Sequence, residues 1–198
     1  MGFSLGWVAV RGSDPESICR ILGLHETGVR EELPESPMVG ASLPHGWYLV
    51  VVDRGEKLLE DTLLQRLSAD CEAVGCFVEE HVMYSAAEGW TNGRRVWSVT
   101  HDSSKARAHL ELEGDLPPAL SAIRARLESE QEAAGGDTAD VDYLFDVPVE
   151  LAKAVTGFRH DEDVGGTEPP LFEVLASDAA ADSKNREPPA WWKKLFGA

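Results

Sequence analysis

Side chains that could bind a ligand or move a proton are concentrated between Tyr84 and Asp102. Histidine is the residue type best suited to exchange a proton at neutral pH, and at His101 it is followed directly by the carboxyl group of Asp102. Glu88 is a second carboxyl group, and Arg95 offers a permanent positive charge to an anionic ligand. These types predict a small site in which His101 is the base, Glu88 or Asp102 orients it, and Arg95 holds an anion.

A β-hairpin is the element that would bring these side chains together. Asn92-Gly93 is a strong signal for a two-residue turn. Pairing outward from that turn places aromatic, acidic and basic side chains on one face of the hairpin. The face consists of Tyr84, Glu88, Trp90, Arg95, Trp97, Val99 and His101. We predict ligand contacts at Tyr84, Trp90, Arg95 and Trp97, although ordinary core with a polar rim has the same composition.

Other patterns that could carry chemistry are weaker. Glu79-Glu80-His81 could also act as acid and base, but no Gly-x-Ser-x-Gly motif supplies a nucleophile. The three cysteines are odd in number, and Cys71 and Cys76 are five residues apart, which is typical of buried thiols and not of a zinc site. An acidic loop that begins at Asp161 fails the calcium pattern at its twelfth position, Phe172. We expect neither a metal nor a cofactor.

The charge of the chain is strongly negative and unevenly distributed. The formal net charge is −17, and residues 128–168 contain 12 acidic and 2 basic residues, a charge of −10. A field of this sign repels nucleic acid and anionic membranes and favours basic surfaces. We therefore expect a basic protein partner, no nucleic acid and no stable membrane association.

The last eight residues combine apolar and basic side chains. Trp191, Trp192, Leu195 and Phe196 surround Lys193 and Lys194. Such a peptide folds back onto its own domain, docks on a partner or a second copy of the chain, or touches a membrane interface weakly. We predict partner binding through these four apolar residues, with self-association as one form of it.

Helical and strand patterns predict an α+β fold with a mainly antiparallel sheet of five or six strands and packed helices. Helices are expected from Asp14 to Gly23, at about 57–68, from Pro117 to about Glu132, and from Pro148 to Gly157. Residues 26–44 are interpreted as a long loop, and 171–175 as an edge strand. Residues 1–175 would form one domain, 176–190 a flexible linker and 191–198 a docking peptide.

The favoured function is a non-catalytic acidic binding module of inhibitor, immunity or scaffold type. The alternative is a small enzyme or ligand-binding protein that uses the hairpin face with Tyr84, Glu88, Arg95 and His101. Residues 1–10 lack the basic and long apolar regions of a secretory signal. We expect a cytoplasmic protein.

Overall fold

The computed structural model describes residues 2–162 and 172–177, and these form an α+β fold, as predicted. Nine strands form one antiparallel sheet. The strands are β1 (Ser4–Arg11), β2 (Leu24–Glu31), β3 (Met38–Ser42), β4 (Trp47–Asp53), β5 (Glu72–Glu79), β6 (Tyr84–Thr91), β7 (Arg94–Asp102), β8 (Glu111–Gly114) and β9 (Phe172–Ser177). The helices are α1 (Pro15–Leu22), α2 (Asp61–Leu67), α3 (Leu120–Ala133) and α4 (Asp146–Thr156). The strand order is β2-β9-β3-β4-β1-β5-β6-β7-β8.

Both faces of the sheet are covered by helices. Along β1, Trp7 and Ala9 face the core that includes residues of α3 and α4, whereas Val8 and Val10 face the core that includes α1 and α2. All four are fully buried, because a strand between two helical layers has no solvent side. Within the described ranges, none of the helices has the length and apolar character needed to cross a bilayer.

Capping residues at both ends define α1, the helix whose bounds were predicted best. Asp14 caps α1 and accepts a hydrogen bond from the Ser17 backbone N–H at 2.8 Å. The helix then ends at Gly23, which has a left-handed backbone with φ of 68°. The second predicted helix is shorter than expected, because residues 56–59 form a separate 3₁₀ turn before α2.

Two predictions about strands were wrong. The long loop expected at residues 26–44 contains β3 and most of β2. Six consecutive residues of β2, from His25 to Arg30, are exposed on both faces, so the alternation that marks a half-buried strand is missing. β9 is not an edge strand but lies between β2 and β3. With β2 and β3 added, the described part of the chain has nine strands in the sheet, more than the five or six expected.

The hairpin formed by β6 and β7 has the predicted turn but a different register. Trp90 pairs with Arg95 as expected, and the next pair is Gly89 with Trp97. Val96 is therefore an extra residue in β7, a β-bulge that shifts the rest of the strand by one residue. A shift by one residue moves every later side chain to the opposite face. The predicted single face of ligand-binding side chains is accordingly divided between the two sides of the sheet.

Gly89 is required where the Trp97 indole lies across β6. A Cβ atom at residue 89 would overlap the indole ring. We expect Gly89→Ala to lower the free energy of unfolding by about 1–3 kcal/mol, because overpacking displaces a buried ring. Gly75→Ala is the matched control, since a Cβ in that strand would first meet Leu64 methyl groups at 3.4 Å, an ordinary contact. Urea unfolding of both variants measures the difference, and equal losses would contradict the role given to Trp97.

Candidate functional site

A cavity of about 280 Å³ opens at the end of the sheet where β1 begins and β4 ends. It lies between the start of β1, the loop from β2 to β3, the end of β4 and the segment that follows α4. The polar side chains in its lining include Glu35, Asp53 and His160, and Phe3 adds an aromatic ring. The cavity therefore combines carboxylates, an imidazole and an aromatic surface.

The end of α4 places His160 in this cavity. Gly157 ends the helix with a left-handed backbone, φ of 83°, and turns the chain back toward the sheet. Phe158 is then buried edge-on against Trp7, with ring centroids 5.4 Å apart. Two residues later, the His160 ring meets Phe3 edge-on at 5.1 Å. The position of the imidazole is thus fixed by core packing.

Hydrogen bonds hold the other walls of the cavity. Glu31 accepts bonds from the backbone N–H and the hydroxyl group of Ser36, at 2.9 and 2.8 Å. The Asp53 N–H donates to the Pro37 carbonyl at 2.8 Å. Together these contacts tie the loop from β2 to β3 to the end of β4 and hold the walls of the cavity in place.

His160 is a buried polar group with unused hydrogen-bonding capacity. Its side chain is only 2% exposed, and neither ring nitrogen has a hydrogen-bond partner among residues 2–162 and 172–177. Burial lowers the pKa of His160 below 6.5, although the charges of Asp161 and Glu80 act in the opposite direction. The ring is therefore neutral at neutral pH and has one unused donor and one unused acceptor.

One carboxylate lies near this ring, and two more line the same cavity. Glu80 Oε1 lies 3.9 Å from His160 Nε2, and the other oxygen of Glu80 accepts a 2.9 Å bond from the Phe3 N–H. In the part of the chain that the structure describes, the cation nearest to Asp53 is the exposed Arg54 at 3.9 Å, and the carboxylate of Glu35 has no partner. Negative charge at the cavity is thus poorly compensated.

The lowered pKa of His160 predicts that the fold loses stability in mild acid. Unfolding lets the imidazole protonate at its ordinary pKa of 6.5, so the free energy of unfolding should fall from about pH 6.5 down to the folded-state pKa. His160→Gln should remove that part of the loss. Unfolding curves between pH 7 and pH 5 test this, with the exposed His45→Gln as the control for the loss of a histidine. Parallel slopes for wild type and His160→Gln would contradict the burial effect.

A second histidine lies beside the cavity but is not arranged for nucleophilic catalysis. His81 Nδ1 is 2.7 Å from Glu79 Oε1, and the Ser4 hydroxyl donates to the other oxygen of Glu79. The carboxylate therefore lies between the serine and the histidine, whereas a base must contact the nucleophile directly. The hydrogen bonds of Glu79 to Ser4 and His81 lower its pKa, so it remains an ionised acceptor.

His101, the predicted catalytic base, is fully buried and has both nitrogens engaged. Nδ1 donates to the His109 carbonyl at 2.9 Å, and Nε2 lies 3.1 Å from Asp142 Oδ2. Neither of the predicted orienting acids contacts His101. Asp102 accepts a hydrogen bond from the Ser104 hydroxyl group, and Glu88 faces the opposite side of the sheet. The structure therefore does not assemble the predicted catalytic group.

The predicted ligand-binding residues are similarly divided. Trp97 is buried in the core under α3 and α4, and Trp90 in the core under α1 and α2. Glu88 accepts a 2.9 Å bond from Trp90 Nε1 and lies 3.8 Å from Arg95, which also contacts Glu113 at 3.2 Å. Tyr84 packs against Phe77 with centroids 6.2 Å apart, and burial raises its pKa. These contacts explain the four side chains as core and rim.

The acidic stretch at residues 128–168 is largely paired within the fold. Of its ten described carboxylates, seven have a basic or histidine partner within 4 Å. The paired residues are Glu128, Glu130, Asp142, Asp146, Glu150, Asp161 and Glu162. Arg159, only 11% exposed, contacts Asp146, Glu150 and Asp161 at 3.0, 2.8 and 2.6 Å. The seven carboxylates share four arginine or lysine side chains and His101, so the charge that first indicated a basic partner is only partly compensated within the fold.

Thiols and metals give no further site in the described part of the chain. The three cysteines are free; Cys76 is fully buried, and burial raises its pKa. Among residues 2–162 and 172–177, no three histidine, cysteine or carboxylate side chains are grouped so that they could hold a metal ion. The predicted docking residues Trp191, Trp192, Leu195 and Phe196 lie outside the described residues.

Sequence reasoning missed the cavity because its polar residues come from distant segments. Phe3, Glu35, Asp53, Glu80 and His160 share no motif and no periodic spacing. Comparison with known proteins adds no assignment, since no family model, curated protein or solved structure matches the chain.

Proposed function

We propose that this chain is a non-catalytic, cytoplasmic binding module that holds a basic protein partner at the cavity, as an inhibitor, an immunity-type protein or a scaffold. The observation that supports the proposal most is that carboxylates without a close basic partner lie at one cavity beside the buried imidazole of His160, whereas most carboxylates of the stretch 128–168 have a basic partner. Seven in the stretch 128–168 are paired within the fold. Among residues 2–162 and 172–177, Glu35 and Asp53 in the cavity lining and Glu80 beside His160 have no basic partner closer than 3.9 Å.

Uncompensated carboxylates favour a positive partner for a simple electrostatic reason. Like charges held near one another repel, and a cation that binds between them relieves that repulsion. The net charge of −17 adds long-range attraction, which speeds the approach of a basic surface. Paired carboxylates contribute less to specific recognition, because their cations already satisfy them.

Affinity capture with matched charge variants tests the proposal. The cavity variant is Glu35→Gln/Asp53→Asn/Glu80→Gln, and the control variant is Glu132→Gln/Asp137→Asn/Asp140→Asn. The control residues are exposed and have no ion-pair partner in the described ranges. Each set removes three negative charges, so both variants have a net charge of −17 + 3 = −14. Any difference between them therefore reports position and not total charge.

The expected result is a basic protein that wild type and control retain at low salt and release at high salt, and that the cavity variant does not retain. Mass spectrometry of the eluates from a cytosolic fraction identifies it. Equal capture by both variants would contradict the proposed site. A bait truncated after Glu187 tests separately whether the four apolar residues of the last segment contribute.

A further inference from the structure

A groove beside the turn from β5 to β6 has the lining and the charge to bind the last segment of this chain. We infer that residues 191–196 dock in this groove, with an indole ring of Trp191 or Trp192 against its apolar wall. The inference goes beyond the proposed function, because the groove shares no lining residue with the cavity where β1 begins. It assigns a place to the apolar side chains that the sequence concentrates in that segment.

Apolar and aromatic side chains form most of the groove. It has a volume of about 390 Å³, and its lining consists of Glu56, Leu59, Phe77, Glu79, Val82 and Tyr84. Phe77 and Tyr84 are an aromatic pair with ring centroids 6.2 Å apart. Val82 is 60% exposed, which makes it the most exposed large hydrophobic residue of the described ranges. An apolar segment that covers this surface removes it from water, and that burial stabilises the contact.

The charges of the groove and of the segment are opposite. The charged residues of the lining are Glu56 and Glu79, and the hydrogen bonds of Glu79 lower its pKa, so that it is ionised at neutral pH. The charged residues of the segment are Lys193 and Lys194, directly after the two tryptophans. Two carboxylates and two ammonium groups attract each other when the indole rings cover the apolar wall. Apolar contact supplies most of the stability, since exposed ion pairs contribute little.

The register of the sheet shows that β9 ends level with the groove. One row across the sheet consists of the pairs Val174 with Val39, Val39 with Val51, Val51 with Trp7, and Trp7 with Cys76. The row three residues further along contains Ser177 at the end of β9 and Glu79 at the end of β5. Tyr84 pairs with Glu79 in that same row. The chain therefore leaves β9 at the end of the sheet where the groove lies.

The chain between β9 and the two tryptophans is long enough to reach the groove. Four strand spacings separate β9 from β5, a distance of about 19 Å. The connection, residues 178–190, is 13 residues long and spans up to about 43 Å when extended. Because the segment is tethered so near, its effective concentration at the groove is high, and a contact of small area is enough to hold it.

Three other cavities fit the segment less well. The groove between α1 and β2 lies nearer to the end of β9, but charged side chains, Arg20 among them, make up half of its lining. The groove between β8 and α3 is apolar, but its charged residues Arg124 and Glu128 pair with each other. The cavity where β1 begins is smaller, about 280 Å³, and its Phe3 ring already packs against His160. The groove at Val82 alone combines an exposed apolar wall with two carboxylates and no basic side chain in its lining.

Quenching of tryptophan fluorescence by acrylamide tests the inference in the full-length chain. The chain has six tryptophans, and four of them lie in the described ranges and are at most 7% exposed. These four are Trp7, Trp47, Trp90 and Trp97. Emission that acrylamide quenches readily therefore comes from Trp191 and Trp192. We expect both to be protected in the wild-type chain.

Matched variants locate the contact. The groove variant is Glu56→Lys/Val82→Ser, and the control is Val29→Ser/Glu32→Lys at β2 and the residue that follows it. Val82 and Val29 are 60% and 58% exposed, both glutamates are exposed, and the two variants have the same net charge. We expect the control to stay protected like wild type, and the groove variant to make two of its six tryptophans accessible to acrylamide.

Adding Trp191→Phe/Trp192→Phe to the groove variant should remove the extra quenching, which shows that it comes from the segment. Extra quenching that persists after this change would assign the effect to a loosened fold and overturn the inference. Equal quenching of wild type and groove variant would show that the segment does not occupy this groove. Protection of the wild-type chain that is lost on dilution would place a second copy in the groove, which also contradicts docking within one chain.

Discussion

Replacing Asp142 with alanine is expected to lower the free energy of unfolding by about 3–5 kcal/mol, the cost of breaking a buried ion pair from one side. Asp142 is 8% exposed, and its carboxylate lies 3.1 Å from Nε2 of the fully buried His101. Because Nδ1 already donates to the His109 carbonyl, Nε2 must either donate to an ionised Asp142 or accept from a protonated one. Alanine removes the partner in both cases.

Two further substitutions make this result specific. Asp140→Ala, at an exposed residue two positions away, should change stability by less than about 0.5 kcal/mol. Asp142→Asn should cost about 1–2 kcal/mol, because its amide can donate to Nε2 of a neutral His101. Chemical denaturation at pH 7 measures all three. A loss for Asp142→Ala as small as that of Asp140→Ala would contradict the buried pair.

Replacing Arg159 with leucine is the second large effect that we expect, a loss of about 3 kcal/mol in the free energy of unfolding. The guanidinium group is 11% exposed and contacts Asp146, Glu150 and Asp161. Burial raises the pKa of Asp146, so its carboxylate depends on the nearby positive charge to remain ionised. Leucine leaves three partly buried carboxylates together without their main cation.

The pH dependence separates this charge effect from simple loss of packing. Burial alone would raise the pKa of Asp161. Its hydrogen bonds with Arg159 lower that pKa by more than burial raises it, so the net shift is downward. The stability that ionised Asp161 contributes is present at pH values above its ordinary pKa of 3.8, and it is lost as the pH falls through the pKa of the folded state. The difference between wild type and Arg159→Leu should therefore shrink below about pH 4.

Arg124→Leu is the matched control for Arg159→Leu. Arg124 forms an exposed pair with Glu128 one helical turn away, so its loss should cost less than about 0.5 kcal/mol. Urea unfolding of wild type and of each variant at pH 7 and pH 3 gives the four free energies of unfolding that each comparison needs. A penalty for Arg159→Leu that stays constant between these pH values would assign its role to packing.

The parts of the fold that could be predicted have local signals. Asp14, Pro15 and Gly23 delimit α1, and Asn92-Gly93 makes the hairpin turn. Strand order and register instead depend on distant contacts. β9 reaches the interior of the sheet by pairing with β2 and β3, and the bulge at Val96 accompanies a Trp97 ring that covers Gly89. No single segment encodes those contacts.

The candidate site was less predictable for the same reason. Residues in the hairpin have the types that chemistry uses, but the bulge separates His101 from Glu88 and Tyr84. The cavity draws on residue 3, the loop from β2 to β3, the ends of β4 and β5, and the segment after α4. The sequence shows how many carboxylates the chain has, whereas only the ion pairs of the folded structure show which of them have a basic partner.

The affinity of the captured basic partner for the two charge variants tests the central claim most directly. Isothermal titration calorimetry would compare Glu35→Gln/Asp53→Asn/Glu80→Gln with Glu132→Gln/Asp137→Asn/Asp140→Asn, both at a net charge of −14, from −17 + 3. We predict that the cavity variant binds at least tenfold more weakly than the control, about 1.4 kcal/mol in binding free energy. Equal affinities would contradict the claim that the cavity at the end of the sheet is where the partner binds.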